Sequence, residues 1–322
     1  MDQQNLTARV TEFVLLGLTQ NHQLKNFLFM FFFIVYVTTW LGNFTIIITV
    51  IADHRLHTPM YFLLANLAFL DVSDSSVNAP NLLSGLLSKY KTISFNDCIL
   101  QMFFFHFIGG AMFFFLAGMA IDRYVAICKP LRYLIIMNRG VCVGLVALAW
   151  LGGFVHSAVQ IGLLLQLPFC GPNILDNFYC DVPQVIKLAC TDTHLVELQM
   201  VFNGGVLLII LFIFLLISYA IILVKIRSHV MEGKHKALST CGTQIIVVCL
   251  LFIPSIFIYA RPFKKFPLDK AASVFFTVIS QMLNPMIYTL RNAEMKKAIR
   301  RKALSKTVSF ITNHKLFCRH LL

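Results

Sequence analysis

Seven stretches of this chain are each long enough to cross a lipid bilayer as a helix, and six of them contain no Lys, Arg, Asp or Glu. Those six are Phe27–Ala52, Ile99–Ile121, Val141–Leu167, Leu198–Val224, Ala237–Ala260 and Ala271–Leu290. The seventh, Pro59–Leu83, is interrupted by Asp71 and Asp74 but is otherwise apolar. A hydrocarbon core about 30 Å thick needs roughly 20 apolar residues in a helix, so each stretch suffices. Only 13% of the residues are charged, about half the share a soluble domain uses to cover its surface. Lipid is therefore the solvent for most of the chain. The expected fold is an all-α membrane protein: a seven-transmembrane helix bundle followed by a short amphipathic cytoplasmic helix.

An odd number of spans puts the two termini on opposite sides, and the distribution of Lys and Arg selects which side is which. Arg55, Arg123, Lys129, Arg132, Arg139, Lys225, Arg227, Lys234, Lys236 and the dense run from Arg291 to Lys302 all fall on one side. The other side holds far fewer. The N-terminus is thus expected outside the cell and the C-terminus in the cytoplasm. The sequon Asn5-Leu6-Thr7 falls on the predicted outer tail and makes Asn5 a glycosylation candidate. The same pattern at Asn43 lies within a span, beyond the reach of glycosyl transfer. The start of the chain shows no basic segment followed by a short apolar core, so insertion is expected to rely on the first span. The chain is thus expected to divide into an outer tail (1–25), a seven-transmembrane domain (26–291), and a cytoplasmic helix and tail (292–322). A net charge of +13 could suggest nucleic acid, but the basic residues lie between spans, as membrane topology requires, and no nucleic-acid partner is expected.

Cys98, Cys170, Cys180 and Cys190 fall on the outer side, an even number in an oxidising compartment. Three pairings are open to four cysteines. Zinc is a poor alternative, since the close ligand pairs of structural sites are missing. Asp71 and Asp74 lie deep in the second span, where a carboxyl group is costly and commonly marks function. Segment 292–302 reads as an amphipathic helix on the inner leaflet, with Met295, Ala298 and Ile299 on one side. Cys318 is a lipidation candidate. No repeat with a 20–50 residue period and no inverted similarity between halves is visible, which weighs against a transporter. Gly-x-Ser-x-Gly and His-Glu-x-x-His are both missing, so nothing supports a hydrolase, and no enzyme activity, metal or cofactor is expected.

Local motifs carry a resemblance. Met119-Ala120-Ile121-Asp122-Arg123-Tyr124-Val125-Ala126-Ile127-Cys128, continuing through Lys129-Pro130-Leu131-Arg132-Tyr133, resembles the third-helix signature of odorant receptors. Leu56-His57-Thr58-Pro59-Met60-Tyr61, Ser218-Tyr219, Lys236-Ala237-Leu238-Ser239-Thr240-Cys241 and Pro285-Met286-Ile287-Tyr288 are similar to that family's second, fifth, sixth and seventh helices. The motifs run in order along nearly the whole chain. Odorant receptors form a branch of the rhodopsin-like G-protein-coupled receptors.

The resemblance implies a receptor at the plasma membrane that binds small, mostly apolar odorants. It also implies activation of a stimulatory, olfactory-type heterotrimeric G protein and a rise in cyclic AMP. It implies roles for Asp122, Arg123, Tyr124, Tyr219 and Tyr288 in coupling, with Asp122 restraining Arg123 at rest. It further implies a polar network of Asp71 with Asn43 and Asn284, and the disulfides Cys98–Cys180 and Cys170–Cys190. Three positions depart from the family: Met112 stands where Glu is usual, Gln244 where His is usual, and Ile121 where Tyr is usual. A service outside the nose is equally compatible with these motifs. A retinal pigment is not, because Ala271–Leu290 has no lysine for a Schiff base.

An apolar ligand needs aromatic and aliphatic walls with a few polar anchors. Helical spacing nominates Phe105, His106, Gly109 and Gly110 on the third span. It nominates Asn203 and Leu207 on the fifth, Phe252, Ser255, Ile256 and Tyr259 on the sixth, and Thr277 on the seventh. His106 and Asn203 stand out as polar groups at membrane depth. The paired glycines would serve either ligand space or close helix packing.

Overall fold

A computed structural model of the chain describes residues 10–88, 91–170, 172–228, 234–261 and 266–302. Asn5, Cys318 and the tail beyond 302 lie outside the described residues. Seven long helices form a bundle: α1 (His22–Ala52), α2 (Pro59–Leu87), α3 (Phe95–Cys128), α4 (Arg139–Leu164), α5 (His194–Met200 continuing through Leu207–Ser228), α6 (Lys234–Tyr259) and α7 (Asp269–Val274 continuing through Ser280–Arg291).

The starts of α1, α3 and α4 are set by short polar side chains that satisfy the first free amides of a helix. Asn21 accepts from Gln23 and Leu24 ahead of α1, Ser94 from Asp97 ahead of α3, and Asn138 from Val141 ahead of α4. Pro59 opens α2 at the position where its missing N–H costs nothing. Inside both α5 and α7 the winding loosens to π-helical turns, Val201–Val206 and Phe275–Ile279.

Six of the seven helices are long and apolar enough to span a membrane on composition alone. The remaining one, α2, has the length but holds Asp71, Asp74, Ser75 and Asn78 on its buried face. These polar residues point into the bundle together with apolar ones such as Leu67 and Leu70, so neighbouring helices make up the polar partners that lipid cannot supply. At the centre stands α3, with 67% of its apolar window buried, against 22% for α4 and for α5. The large side chains left exposed on the outer helices, such as Phe27, Leu41, Phe69 and Ile210, form a lipid-facing coat. Close packing of α3 on α4 depends on Gly153, where a Cβ would come within 2.4 Å of the Phe107 carbonyl oxygen and 2.5 Å of the Ala111 nitrogen.

Two features correct the sequence reading. The fold is not purely helical: β1 (Glu12–Leu15) pairs antiparallel with β2 (Lys91–Ser94) and parallel with β3 (Ile174–Leu175), capping one end of the bundle. The first 25 residues are thus not simply a tail, because β1 and the start of α1 both lie within them. Phe13, fully buried, plugs this sheet into a second apolar cluster with Cys98, Met102, Leu175 and Cys180. Local patterning hid the sheet because β3 is two residues long and its partners come from segments far apart in sequence.

The second correction concerns residues 293–302, which are helical. Asn292 caps them by accepting from the amides of Glu294 and Met295, and it also accepts from Tyr61 Oη at 3.1 Å. Met295 and Ala298 are fully buried in the core of the bundle. The bundle, not the lipid leaflet, therefore covers the centre of this helix's apolar side.

Candidate functional site

The sheet-capped end contains a narrow cavity between α3, α4, α5, α6 and α7. Its walls include Phe105, His106, Gly109, Gly110, Phe113 and Phe114 of α3, Asn203, Gly204, Leu207, Leu208 and Leu211 of α5, and Tyr259 and Phe276 of α6 and α7. The cavity measures about 40 Å³, room for a few water molecules. The two glycines take different parts. A Cβ on Gly109 would meet nothing within 4 Å, whereas one on Gly110 would sit 3.1 Å from the Gly153 Cα. Gly109 opens space and Gly110 serves helix packing.

Four of the sequence candidates stand back from the walls. Phe252 lies beneath them, fully buried, with its ring 4.7 Å from Phe113 and 5.5 Å from Phe212. Ser255 and Thr277 return their hydroxyls to the carbonyls one turn earlier, Leu251 and Ser273, and Ile256 is half-buried against the core. Helical spacing identifies a face but cannot fix how far each residue on it reaches.

His156 and Gln160 of α4 were not anticipated, and both line the cavity. Asn203 links them, with its Oδ1 3.2 Å from His156 Nδ1 and its Nδ2 donating to Gln160 Oε1 at 3.1 Å. Two polar residues one turn apart in an otherwise apolar span were the available signal. The π-helical turn carries Asn203, and such turns often occur where a helix has been adapted to a function.

A loop closes the cavity. Cys98 is bonded to Cys180 and Cys170 to Cys190, which ties the α4–α5 connection to the head of α3. Asp181, next to the first of these bridges, is buried. Its carboxylate accepts from Tyr259 Oη at 3.1 and 3.2 Å, from Tyr179 Oη at 3.2 Å and from the Val182 amide at 2.9 Å. Burial and the adjacent Asp181 carboxylate hold the Tyr179 phenol well above its usual range, so it stays protonated and donates. His106 Nε2 lies 3.5 Å from Asp181 Oδ1 and has no hydrogen-bond partner among the described residues. Beyond this clamp is a wider vestibule of about 470 Å³, lined by Asp176, Lys187, Arg261, Asp269 and Lys270 among others. Ion pairs Lys270–Asp176, at 2.7 Å, and Arg261–Asp269 cross it.

Midway along the bundle, Asn284 donates to Asp71 at 2.8 Å and Gln281 donates to Asp74 at 2.5 Å. Asn43 does not reach Asp71 as expected; its amide donates to the carbonyls of Thr39 and Gln281 at 3.0 and 3.4 Å. The second carboxylate, one turn along α2, recruits its own helix-seven partner, so Asn43 meets α7 through the backbone. Met112 is buried among apolar core residues and Ile121 faces outward toward lipid.

At the opposite end, Arg123 Nη2 donates to Asp122 Oδ2 at 2.7 Å, and Tyr133 Oη donates to Asp122 Oδ1 at 2.7 Å. Burial and the negative charge of Asp122 push the Tyr133 phenol up, so it remains a donor. Tyr219 donates to Gln244 at 3.2 Å, joining α5 to α6. Tyr288 is buried, whereas Tyr124 is exposed. Arg123 is also buried, which describes a closed end.

A bundle of seven long helices, with a lidded cavity at one end and a buried Asp-Arg pair at the other, has the layout of a membrane receptor that couples its two ends. Comparison with known proteins gives the family. The olfactory receptor family model matches residues 32–306. Human olfactory receptor 4D1 is 59% identical over 301 residues, covering 94% of this chain and 97% of the relative. Human olfactory receptor 4N5 is 54% identical over 301 residues, with 94% and 97% covered. Mouse olfactory receptor 4E2 is 52% identical over 293 residues, with 91% and 95% covered. The chain belongs to the olfactory receptor family. That family lies within the class A G-protein-coupled receptors, so this is a multi-pass membrane receptor and not an enzyme.

Proposed function

We propose that this receptor binds small volatile ligands in the cavity formed by α3, α4, α5, α6 and α7 and signals through a stimulatory, olfactory-type G protein that raises cyclic AMP. The observation carrying this reading is the lidded cavity itself: aromatic walls, polar groups from four separate segments at its edge, and a loop tethered by disulfides above it. The sheet-capped end faces the extracellular medium, where its disulfides are stable. The Arg123 end and residues 293–302 face the cytoplasm, in line with the positive-inside distribution. Arg300 and Lys296 on the open side of that last helix lie near anionic lipid headgroups. The glycosylation candidate Asn5 then falls on the outer side.

Binding pockets for larger, drug-sized ligands measure about 300–1,000 Å³, so a cavity of about 40 Å³ describes a receptor at rest. A ligand must spread the walls to enter. Its binding energy favours whichever arrangement of α5 and α6 makes room, which is a population shift between two packings. At the far end that movement strains the Tyr219–Gln244 contact and frees Arg123 to meet the G protein.

The test is a cyclic-AMP reporter assay in cells, with surface staining, against a broad odorant panel. Tyr259→Ala and His106→Ala are expected to abolish the response at normal surface levels, and Arg123→Ala to abolish signalling without loss of ligand binding. Unchanged dose–response curves for the two cavity variants would remove the cavity from the reading.

A further inference from the structure

His106 Nε2 is the cavity-edge atom whose environment is least complete. The residue is 7% exposed, so no bulk water serves it. Nε2 faces Asp181 Oδ1 across 3.5 Å, close enough for charge attraction, but the pair does not meet hydrogen-bond geometry. A buried polar atom without a partner is costly, and in a ligand cavity the simplest partner is the ligand. The carboxylate opposite favours the tautomer with its proton on Nε2, because that N–H dipole points toward the negative charge. The gap thus offers a donor and an acceptor side by side.

Resting on the proposed reading of the cavity, we infer that this receptor selects ligands whose polar end is a hydroxyl seated between His106 and Asp181. The hydroxyl oxygen accepts from His106 Nε2–H and its own proton is donated to Asp181 Oδ1. An oxygen about 2.8 Å from each closes a triangle on the 3.5 Å edge the structure provides, with the carbon tail directed into the aromatic cavity. A ketone, aldehyde or ester can accept from His106 but gives nothing to Asp181, and its lone pairs face a carboxylate. An alkane leaves both groups unmet. A protonated amine fits less well. An ammonium has no lone pair to accept from His106 Nε2–H, and it must shed its hydration to enter an aromatic cavity.

The experiment uses the full-length receptor at the cell surface and matched probes: 1-octanol, octanal, 2-octanone, octane and octylamine; menthol and menthone; benzyl alcohol and benzaldehyde. The alcohol of an active set is expected to be about tenfold more potent than its carbonyl partner. His106→Phe keeps an aromatic ring but removes Nε2, and should bring alcohol and carbonyl potencies within about twofold. His106→Gln supplies an amide N–H donor and should retain part of the preference, which separates the hydrogen bond from general loss of folding. Carbonyl compounds matching or exceeding alcohols, or octylamine leading the set, would overturn the hydroxyl inference and leave the odorant cavity standing. Alcohol preference surviving His106→Phe at full strength would overturn it equally. Silence of the whole panel at a normally expressed receptor would overturn the cavity reading, and the inference with it.

Discussion

The two ends of the bundle are held by different kinds of bond. At the sheet-capped end, covalent bridges close loops of 82 and 20 residues, strands from three segments pair, and one buried carboxylate accepts from two phenols and a backbone amide. At the Arg123 end a partly exposed ion pair joins Arg301 to Asp53 at 2.8 Å, and the other links are single hydrogen bonds: Tyr133 to Asp122, Tyr219 to Gln244, and Tyr61 to Asn292. A neutral bond of this kind between membrane helices contributes about 0.6 kcal/mol on average. The first end holds its shape while the second can rearrange at modest cost. A receptor needs that asymmetry: a stable frame around the ligand and a labile surface for its partner. In the proposed mechanism α5 and α6, linked by Tyr219 and Gln244, are the moving parts, since α3 and α4 are locked together through Gly153 and Gly110.

The largest effect expected from breaking this contrast is loss of the long disulfide. Loop-closure entropy for an 82-residue separation amounts to roughly 4–5 kcal/mol, and for the 20-residue loop roughly 3 kcal/mol. Cys98→Ser should therefore strip the receptor from the cell surface and Cys170→Ser should do so less completely, as read by surface immunostaining. Normal display of Cys98→Ser would show that the outer frame does not depend on its bridge.

Next come the glycines. Gly153→Ala drives a Cβ into backbone that cannot yield and should cost about 3 kcal/mol, the upper part of the usual overpacking range. A melting curve of purified receptor in detergent would show the drop. Gly109→Ala meets open space, so its melting temperature should hold or rise slightly while agonist potency falls because the cavity is partly filled. Equal melting shifts for the two would contradict the distinction drawn between packing glycine and cavity glycine.

Asp122→Asn probes the labile end. Weakening a charge-assisted contact is worth about 1.5–3 kcal/mol, so ligand-free signalling should rise roughly tenfold, with surface display intact. Tyr219→Phe, which deletes one neutral bond to Gln244, should raise basal signalling only about threefold. If Tyr219→Phe exceeded Asp122→Asn, the α5–α6 link and not the Asp-Arg pair would be the principal restraint.

How much could be read beforehand varies by residue. His106, Asn203 and Tyr259 were legible as cavity residues because polar or amphipathic groups at membrane depth need partners. Phe252 and Thr277 share their helix faces but lie too deep or turn their polar atoms onto their own backbone. Asn43 was expected at Asp71 and bonds instead to the Gln281 carbonyl, because Asp74 takes the Gln281 side chain. Asp181 could not be singled out at all. It lies in a loop, and its importance comes from two tyrosines on different segments converging on it.

The sequence by itself determined that the chain lives in a membrane, crosses it several times, and belongs among the odorant receptors. Those properties depend on local quantities: the length of apolar runs, the absence of charge within them, and short motifs at fixed order. Tertiary structure alone decided which residues meet across the bundle. The three-stranded cap, the Asp181 clamp and the placement of His106 Nε2 3.5 Å from Asp181 all bring together segments distant in sequence, where one residue's surroundings are set by how neighbouring helices rotate and slide. Hydrophobic periodicity specifies that a face is buried, but the depth and partners of each side chain on it depend on packing that no single helix encodes.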